Sequence, residues 1–279
     1  MKEASQETWE ASCLVWPQKT VHFCVRMKKK RGAMQGNQEG RAMGQDGGGR
    51  RMLVDAAHDR LEGLIVDGTL APGRFLSIQD LQTISGLSRT PAHQAVMRLA
   101  HDTLMTIHPR QGVRIAPIDL MRETLLLELR ADMERFLVRL AADRASPAQR
   151  RQMRQIAMAL RNKGGAMPIE IFNPLDLRID RLILAAGGEP FLENTLRPLH
   201  TLFRRIGWLH HAHIEGRGDL SETVALHAGV LEAIAARDET EAVAASDRLI
   251  GYVRQMLETL AARIDPVLLD SSLEPLDLP

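Results

Sequence analysis

"GLSRTPAHQAVMRLA", residues 86–100, decides the fold. Gly86 breaks what precedes it, Ser88 is a good N-cap, and Pro91 sits in a first helical turn, where its missing N–H costs nothing. Ala92, Ala95, Val96 and Leu99 then recur at helical spacing and mark an inward face. The opposite face carries Arg89, Thr90, His93, Gln94 and Arg98. A short helix that opens on a cation and two hydroxyls, and continues with hydrogen-bonding side chains, asks for a polar partner.

Upstream, "LVDAAHDRLEGLIVDG" places Leu53, Ala57, Leu61, Leu64 and Ile65 on one helical face and stops at Gly68. A Pro72-Gly73 turn leads into a short extended piece through Phe75 and Leu76. Ser77 can cap a second helix whose Ile78, Leu81 and Ile84 pack inward. Downstream, 104–108 and 112–116 alternate as two short strands around a turn at 109–111. Helix, helix, tight turn, helix and hairpin make a winged helix-turn-helix. Its third helix would enter a major groove N-terminus first. Ser88, Arg89 and Thr90 would meet phosphates, while His93 and Gln94 reach base edges. Arginine is the side chain best matched to guanine. The wing tip would bring Arg110, Gln111 and Gly112 to a neighbouring groove, glycine allowing close approach or an unusual backbone angle. The same spacing also suits a small helical domain whose polar face is merely solvated.

The chain has 279 residues, enough for about two domains. Its few aromatics and its Leu, Ala, Ile and Met content favour helix over sheet. A net charge of +1 confines any basic surface to a local patch. Two cysteines, Cys13 and Cys24, lie outside the periodic segments, so no disulfide framework is expected and a reducing cytoplasm is the default. No apolar run approaches the roughly 20 residues of a membrane span, and "MKEASQETWE" is too polar for a signal peptide. Residues 1–50 read as a disordered leader: a solvated tail, a stretch ahead of a true start at Met34, Met43 or Met52, or a basic arm ("RMKKKRG") touching DNA backbone.

Beyond Pro117 the sequence is helical almost throughout. Residues 119–145 read as one helix with Leu125, Leu129, Met133, Phe136, Leu137 and Leu140 toward a core. Ser146-Pro147 opens the next helix, and another runs from about Asn173 to Ala186. After "GGEP" a long helix ends in His210, His211 and His213, which read as a solvated helix terminus favoured by the dipole. "DLSE" (219–222) and "DETE" (238–241) are capping-box patterns for the last two helices. The organisation expected is a leader (1–50), a winged head (51–118), a helical bundle (119–265) and a loose tail (266–279). The fold class is mainly α with one small β-hairpin.

Residues 64–116 resemble the winged helix-turn-helix of GntR-family transcription regulators. The approach Gly68-x-Leu70-x-Pro72-Gly73-x-x-Leu76, the turn Ser88-Arg89-Thr90-Pro91, Arg98-Leu99 and the wing Arg110-x-Gly112-x-x-Ile115 stand in order. The resemblance implies DNA contacts by Ser88, Arg89, Thr90, position 93, Arg110 and Gly112. Ile78, His93 and Thr103 depart from it, where an acid, an arginine and a glycine are usual. With fewer cations, phosphate affinity falls.

The helical remainder resembles the FCD effector domain of the FadR subfamily, carried by "LELRADMERFLVRLAADRAS", "DLRIDRLILAAGGEPFLE" and "ALHAGVLEAIAARDETEAVAASDRL". This implies an antiparallel bundle around a cavity that takes small organic acids, often through a divalent metal held by one Asp and three His. Here Asp176 matches the first ligand, Asp180 stands at the first His, His227 matches the next and Leu249 occupies the last. Such a set suits Mn²⁺ or Mg²⁺ better than Zn²⁺ or Ni²⁺; alternatively the aspartates pair with arginines and His227 is a packed polar residue. Without metal, an acid would need Arg130, Arg204 or Arg205, and two unneutralised aspartates would favour an uncharged or basic effector.

The expected function is a cytoplasmic, homodimeric one-component repressor that binds a near-palindromic operator in double-stranded DNA under control of a small molecule. A metal-dependent enzyme using Asp176, Asp180 and His227 is the rival, against which stand the missing nucleophile–base pair, phosphate loop and complete ligand set. An effector-independent DNA-binding protein with a degenerate cavity is a third reading.

Overall fold

The computed structural model describes residues 46–214 and 219–273. The leader expected over 1–50, with both cysteines and the basic arm, lies outside the described residues as far as 45. Residues 46–50 already belong to the first helix.

Helix α1 (Asp46–Val66) buries Ala57, Leu61, Leu64 and Ile65 as the periodicity requires, whereas Leu53 is exposed. Strand β1 (Phe75–Leu76) follows the Pro72-Gly73 turn. Helix α2 (Ile78–Ser85) starts at a capping box: the Ser77 side chain accepts from the Asp80 N–H while Asp80 accepts from the Ser77 N–H. The acid three residues after the serine is what makes this start so definite. Gly86, at φ 71°, ends α2 in the left-handed region that favours glycine. Helix α3 (Arg89–His101) buries Ala92, Ala95, Val96 and Leu99. Strands β2 (Met105–His108) and β3 (Gly112–Ile115) form the wing. The sheet order is β1-β3-β2, all antiparallel, so the extended piece at Phe75 is a third strand.

The bundle comprises α4 (Leu120–Arg144), α5 (Pro147–Lys163), α6 (Ile169–Gly187), α7 (Pro190–His213), α8 (Ser221–Ala236) and α9 (Glu239–Arg263). Helix α6 begins ahead of Asn173 and carries Pro174 inside its opening turns. Asp238 caps α9 through the Glu241 N–H, as "DETE" suggests. "DLSE" behaves differently: the N-cap of α8 is Leu220, and Asp219 accepts from the Ser221 N–H.

Two expectations are corrected here. In α4, Leu125, Leu129 and Phe136 are exposed, and the inward face is Leu127, Arg130, Ala131, Glu134, Leu137, Val138 and Ala141. The helix is apolar on two faces, and the one turned inward carries an ion pair, which hydrophobic periodicity cannot select. Residues 266–273, expected loose, form two 3₁₀ turns against the head. Arg114 of β3 donates to Asp270, Leu269 accepts from the Ile118 N–H, and Pro72 accepts from the Ser271 N–H. Residues 274–279 lie outside the described residues.

Candidate nucleic-acid interface and effector cavity

Ser88, Arg89, Thr90 and His93 are exposed along the open end and outer face of α3, and Gln94 is half-buried beside them. The Ser88 side chain makes no capping bond to its own helix, so its hydroxyl is available to an outside acceptor. No acidic side chain sits in the first turn of α3, so the positive helix end faces outward uncompensated. Arg98 differs: it is tied to Asp55 of α1 at 2.6 Å. Arg110 forms the exposed wing tip at φ 68°. Gly112 has φ 115°, and a Cβ there would run into the backbone carbonyl of Leu76. Glycine is thus required for β3 to lie against β1. Thr103, where the resemblance expects glycine, does adopt a left-handed backbone, at φ 63°.

The bundle encloses a small cavity of about 50 Å³ lined by Arg130, Asp176, Asp180, His200, Arg204 and His227, with Phe172, Phe203, Leu249 and Met256 among its apolar walls. Asp176 and His227 meet at 3.0 Å. The other imidazole nitrogen, Nδ1, lies 2.7 Å from the Thr223 carbonyl. Both nitrogens therefore face acceptors. Burial works against the charge, but Asp176 outweighs it and raises the His227 pKa, while His227 holds Asp176 low. Asp180 receives Arg204 Nη1 at 2.9 Å and lies 3.5 Å from His200 Nδ1. Burial raises its pKa all the same, helped by Asp176. His200 Nε2 contacts Glu134 at 2.6 Å, and Glu134 accepts from Arg130 Nε at 3.2 Å. Although burial opposes it, His200 and Arg130 bring Glu134 down to about 2.

Of the three arginines expected to serve an effector, Arg130 and Arg204 line this cavity and Arg205 does not. Arg205 is buried behind it and donates to the Ala116 carbonyl at 3.0 Å, fastening the connector between head and bundle. Burial lowers its pKa to about 10. The histidine cluster is also corrected. His213 is exposed, but His210 and His211 are buried, and His211 lines the cavity with Nε2 3.0 Å from Thr223 Oγ1. Burial, with His210 beside it, lowers the His211 pKa to about 4. His200 and Glu134 were not singled out by the sequence, and His211 was expected in solvent rather than at the cavity. An i, i+4 Arg130–Glu134 pair in a helix taken for amphipathic was the one available signal.

A divalent ion at Asp176, Asp180 and His227 does not fit this arrangement. Arg204 already pairs with Asp180 at 2.9 Å, the ligand atoms of the three residues do not converge on one point, and Leu249 stands as an apolar wall at the fourth position. Among the described residues the group whose ligand atoms could converge on an ion is His58, Asp59 and Glu62 of α1. There too the charge is met by protein: Asp59 by Arg181 at 2.6 Å and Glu62 by Arg204 at 3.2 Å.

These last contacts join head and bundle. Helix α7 presents Arg197, Thr201 and Arg204 to the head on one face. Arg197 grips Asp102 at 2.9 Å, and Glu62 accepts from both Thr201 Oγ1 and Arg204. His58 lies between Asp59 and Asp102, 3.6 Å from each. Against the effect of burial, those two carboxylates raise the His58 pKa.

A three-helix head with a β-hairpin wing, fastened to an all-helical bundle with a polar cavity, defines a winged helix-turn-helix protein with a helical sensor-type body. Residues 53–115 match the family model for bacterial regulatory proteins of the gntR family, and residues 125–252 match the FCD domain. The chain belongs to the GntR family, in the FadR-like group that joins these two domains. A relative from Bacillus subtilis (strain 168), the HTH-type transcriptional regulator YdhC, is 24% identical over 149 residues, which cover 52% of this chain and 65% of that protein, just under two thirds. Among solved structures, E. coli McbR/YncC superposes with a TM-score of 0.63 at 19% identity, over 75% of this chain and 98% of that one. A GntR regulator from Rhodococcus sp. RHA1 gives 0.54 at 17% identity, over 75% and 98%. The family and the Bacillus relative are transcriptional regulators, not enzymes. No helix among the described residues is long and apolar enough to cross a membrane.

Proposed function

We propose that the protein binds double-stranded DNA as a transcriptional regulator in the cytoplasm, with residues 51–118 as the DNA-binding head and 119–265 as the effector-binding body. The observation that carries this is the exposed row Ser88, Arg89, Thr90 and His93 at an uncapped, positively polarised helix start. Arg110 on the wing supplies a second, flanking contact. The exposed apolar stripe of α4, Met121, Leu125, Leu129 and Phe136, supports a homodimer, since an unpartnered row of that kind on a soluble body costs solvation. A two-fold dimer reads a near-palindromic operator. A dimer seated over two half-sites blocks polymerase without further contacts, so we read the bound state as repressing.

The effector is a small molecule held at the polar cavity of the body. An organic acid enters it by taking Arg130 from Glu134 or Arg204 from Asp180, because both guanidinium groups are already paired. Its binding energy must exceed the loss of those pairs. Such an exchange gives a ligand a differential affinity for two states, which regulation requires. Footprinting of fragments from the promoter region of its own gene tests the reading: a protected near-palindrome that disappears with Arg89→Ala supports it. Absence of any protected stretch at moderate ionic strength, with or without small acids, overturns it.

A further inference from the structure

A larger cavity, about 260 Å³, lies in the seam between head and body. Its walls come from the last turns of α1 with Asp67 just beyond, the first half of α6, and α7 around Arg204 and Trp208. We propose that this seam is a second ligand site, one that takes a small organic cation: an ammonium or amidinium group on a flat apolar body.

Three independent features carry the inference. The first is room. The seam is some fivefold larger than the inner cavity. The second is charge. Of the carboxylates that line the seam, Asp59 is met by Arg181 and Glu62 by Arg204, whereas Asp67 accepts from the Thr69 N–H and has no cation against it among the described residues. The cavity also receives the C-terminal end of α1, whose last turn contains no basic residue. The negative pole of a helix over twenty residues long is thus met by no cation of its own last turn, and Asp67 adds a full charge beside it. The third is an apolar wall. Val66, Pro174, Leu177 and the Trp208 indole face the same space, and an indole face attracts a cation at short range. Water alone would fill such a wall poorly, whereas an amine with an apolar body meets both surfaces. An occupant would touch α1, α6 and α7 together and so brace the head on the body. It would also press on Arg204, which lines both cavities.

The test is binding by the full-length protein, with no DNA present, so its outcome is separate from that of the footprint. The probe is 2-phenylethylamine and its matched acid is phenylacetate. At saturation the amine is expected to raise Tm by about 3 °C or more and the acid to leave it unchanged. Gly63→Leu fills the seam from an exposed helical position whose Cβ would meet nothing within 4 Å, and it should abolish the shift while the variant stays folded. Asp67→Asn keeps the turn acceptor and removes the charge, and should weaken the amine about tenfold. Gly207→Ala, which narrows only the inner cavity, should leave the shift intact. The proposal is overturned by an equal response to acid and amine, by no response to the amine, or by a response that survives Gly63→Leu or vanishes with Gly207→Ala.

Discussion

Glu62 of the first helix and Arg204 of the seventh form an ion pair at 3.2 Å whose side chains are each only 4% exposed. The same guanidinium reaches Asp180 on the wall of the inner cavity at 2.9 Å. One side chain therefore belongs to both the sensing body and the seating of the head. A buried pair of this kind contributes little net stability over an apolar substitute, but breaking it leaves stranded charge.

Arg204→Met should be strongly destabilising, because it strands Glu62 and Asp180 together. A loss of about 3–5 kcal/mol, or roughly 10 °C in Tm, is expected. Pairing it with Glu62→Leu should recover a large part of that loss. Thermal melts of the two single variants and the double variant measure the coupling, and strictly additive effects would contradict the ion pair.

The ion-paired groups should make stability fall away on both the acid and the alkaline side, and His211, held neutral by burial, should add a loss as pH falls from about 6.5 toward 4. Despite their burial, Asp59, Asp102 and Glu134 are held down to about 2 by His58, Arg181, Arg197, His200 and Arg130. Their contribution is present above the ordinary carboxylate range and is lost as pH falls from about 4 toward 2. His58 and His227 are raised by their carboxylate partners, so their contribution is complete below pH ~6.5 and is lost as pH climbs through the raised values. Asp102→Asn should flatten both limbs of a Tm–pH profile, since it removes a low carboxylate and one of the partners that raise His58.

Arg89→Ala should remove about 1–3 kcal/mol of operator affinity and relax preference at the base it reads. Its Tm should move by less than about 1 °C, as expected for an exposed side chain. Arg110→Ala should weaken binding more evenly across sequences. Gel shifts with operator and with scrambled DNA separate the two patterns.

The wing and the turn before it should respond in opposite directions. Gly112→Ala forces a side chain into the Leu76 carbonyl at φ 115°, and a cost of about 2 kcal/mol or more is expected. Thr103→Gly relieves a β-branched residue at φ 63°, so a gain of up to about 1 kcal/mol is expected after the glycine entropy and the loss of the Arg122 bond to Thr103 Oγ1 are subtracted.

Because Arg204 and His227 meet the charge of the two aspartates, added Mn²⁺ or a chelator should each shift Tm by less than about 1 °C. Asp176→Ala should lower Tm by the same amount in both conditions. A loss seen only with added ion would restore the metal reading.

The head was legible because its signals are local. Ser77, Gly86, Ser88 with Pro91, and the alternation around Arg110 each act within a few residues. The body was legible as helices but not as faces. Leu125, Leu129 and Phe136 repeat as regularly as any core row and yet face outward, because the inward row includes Arg130 and Glu134. Whether a charged residue is buried depends on partners tens of residues away, such as His200 for Glu134, and no spacing rule reaches that far. The seam was the least visible part, since Asp59, Glu62 and Asp102 look like ordinary surface acids until α7 is laid across them.

That laying-across limits how freely the halves can be exchanged. A chimera that grafts this head onto another body would leave Glu62, Asp59 and Asp102 facing a surface without Arg204, Arg181 and Arg197. The graft would fold locally and sit badly. Transplanting the head together with those three cations, rather than cutting at the connector, is the design that keeps DNA reading answerable to its sensor.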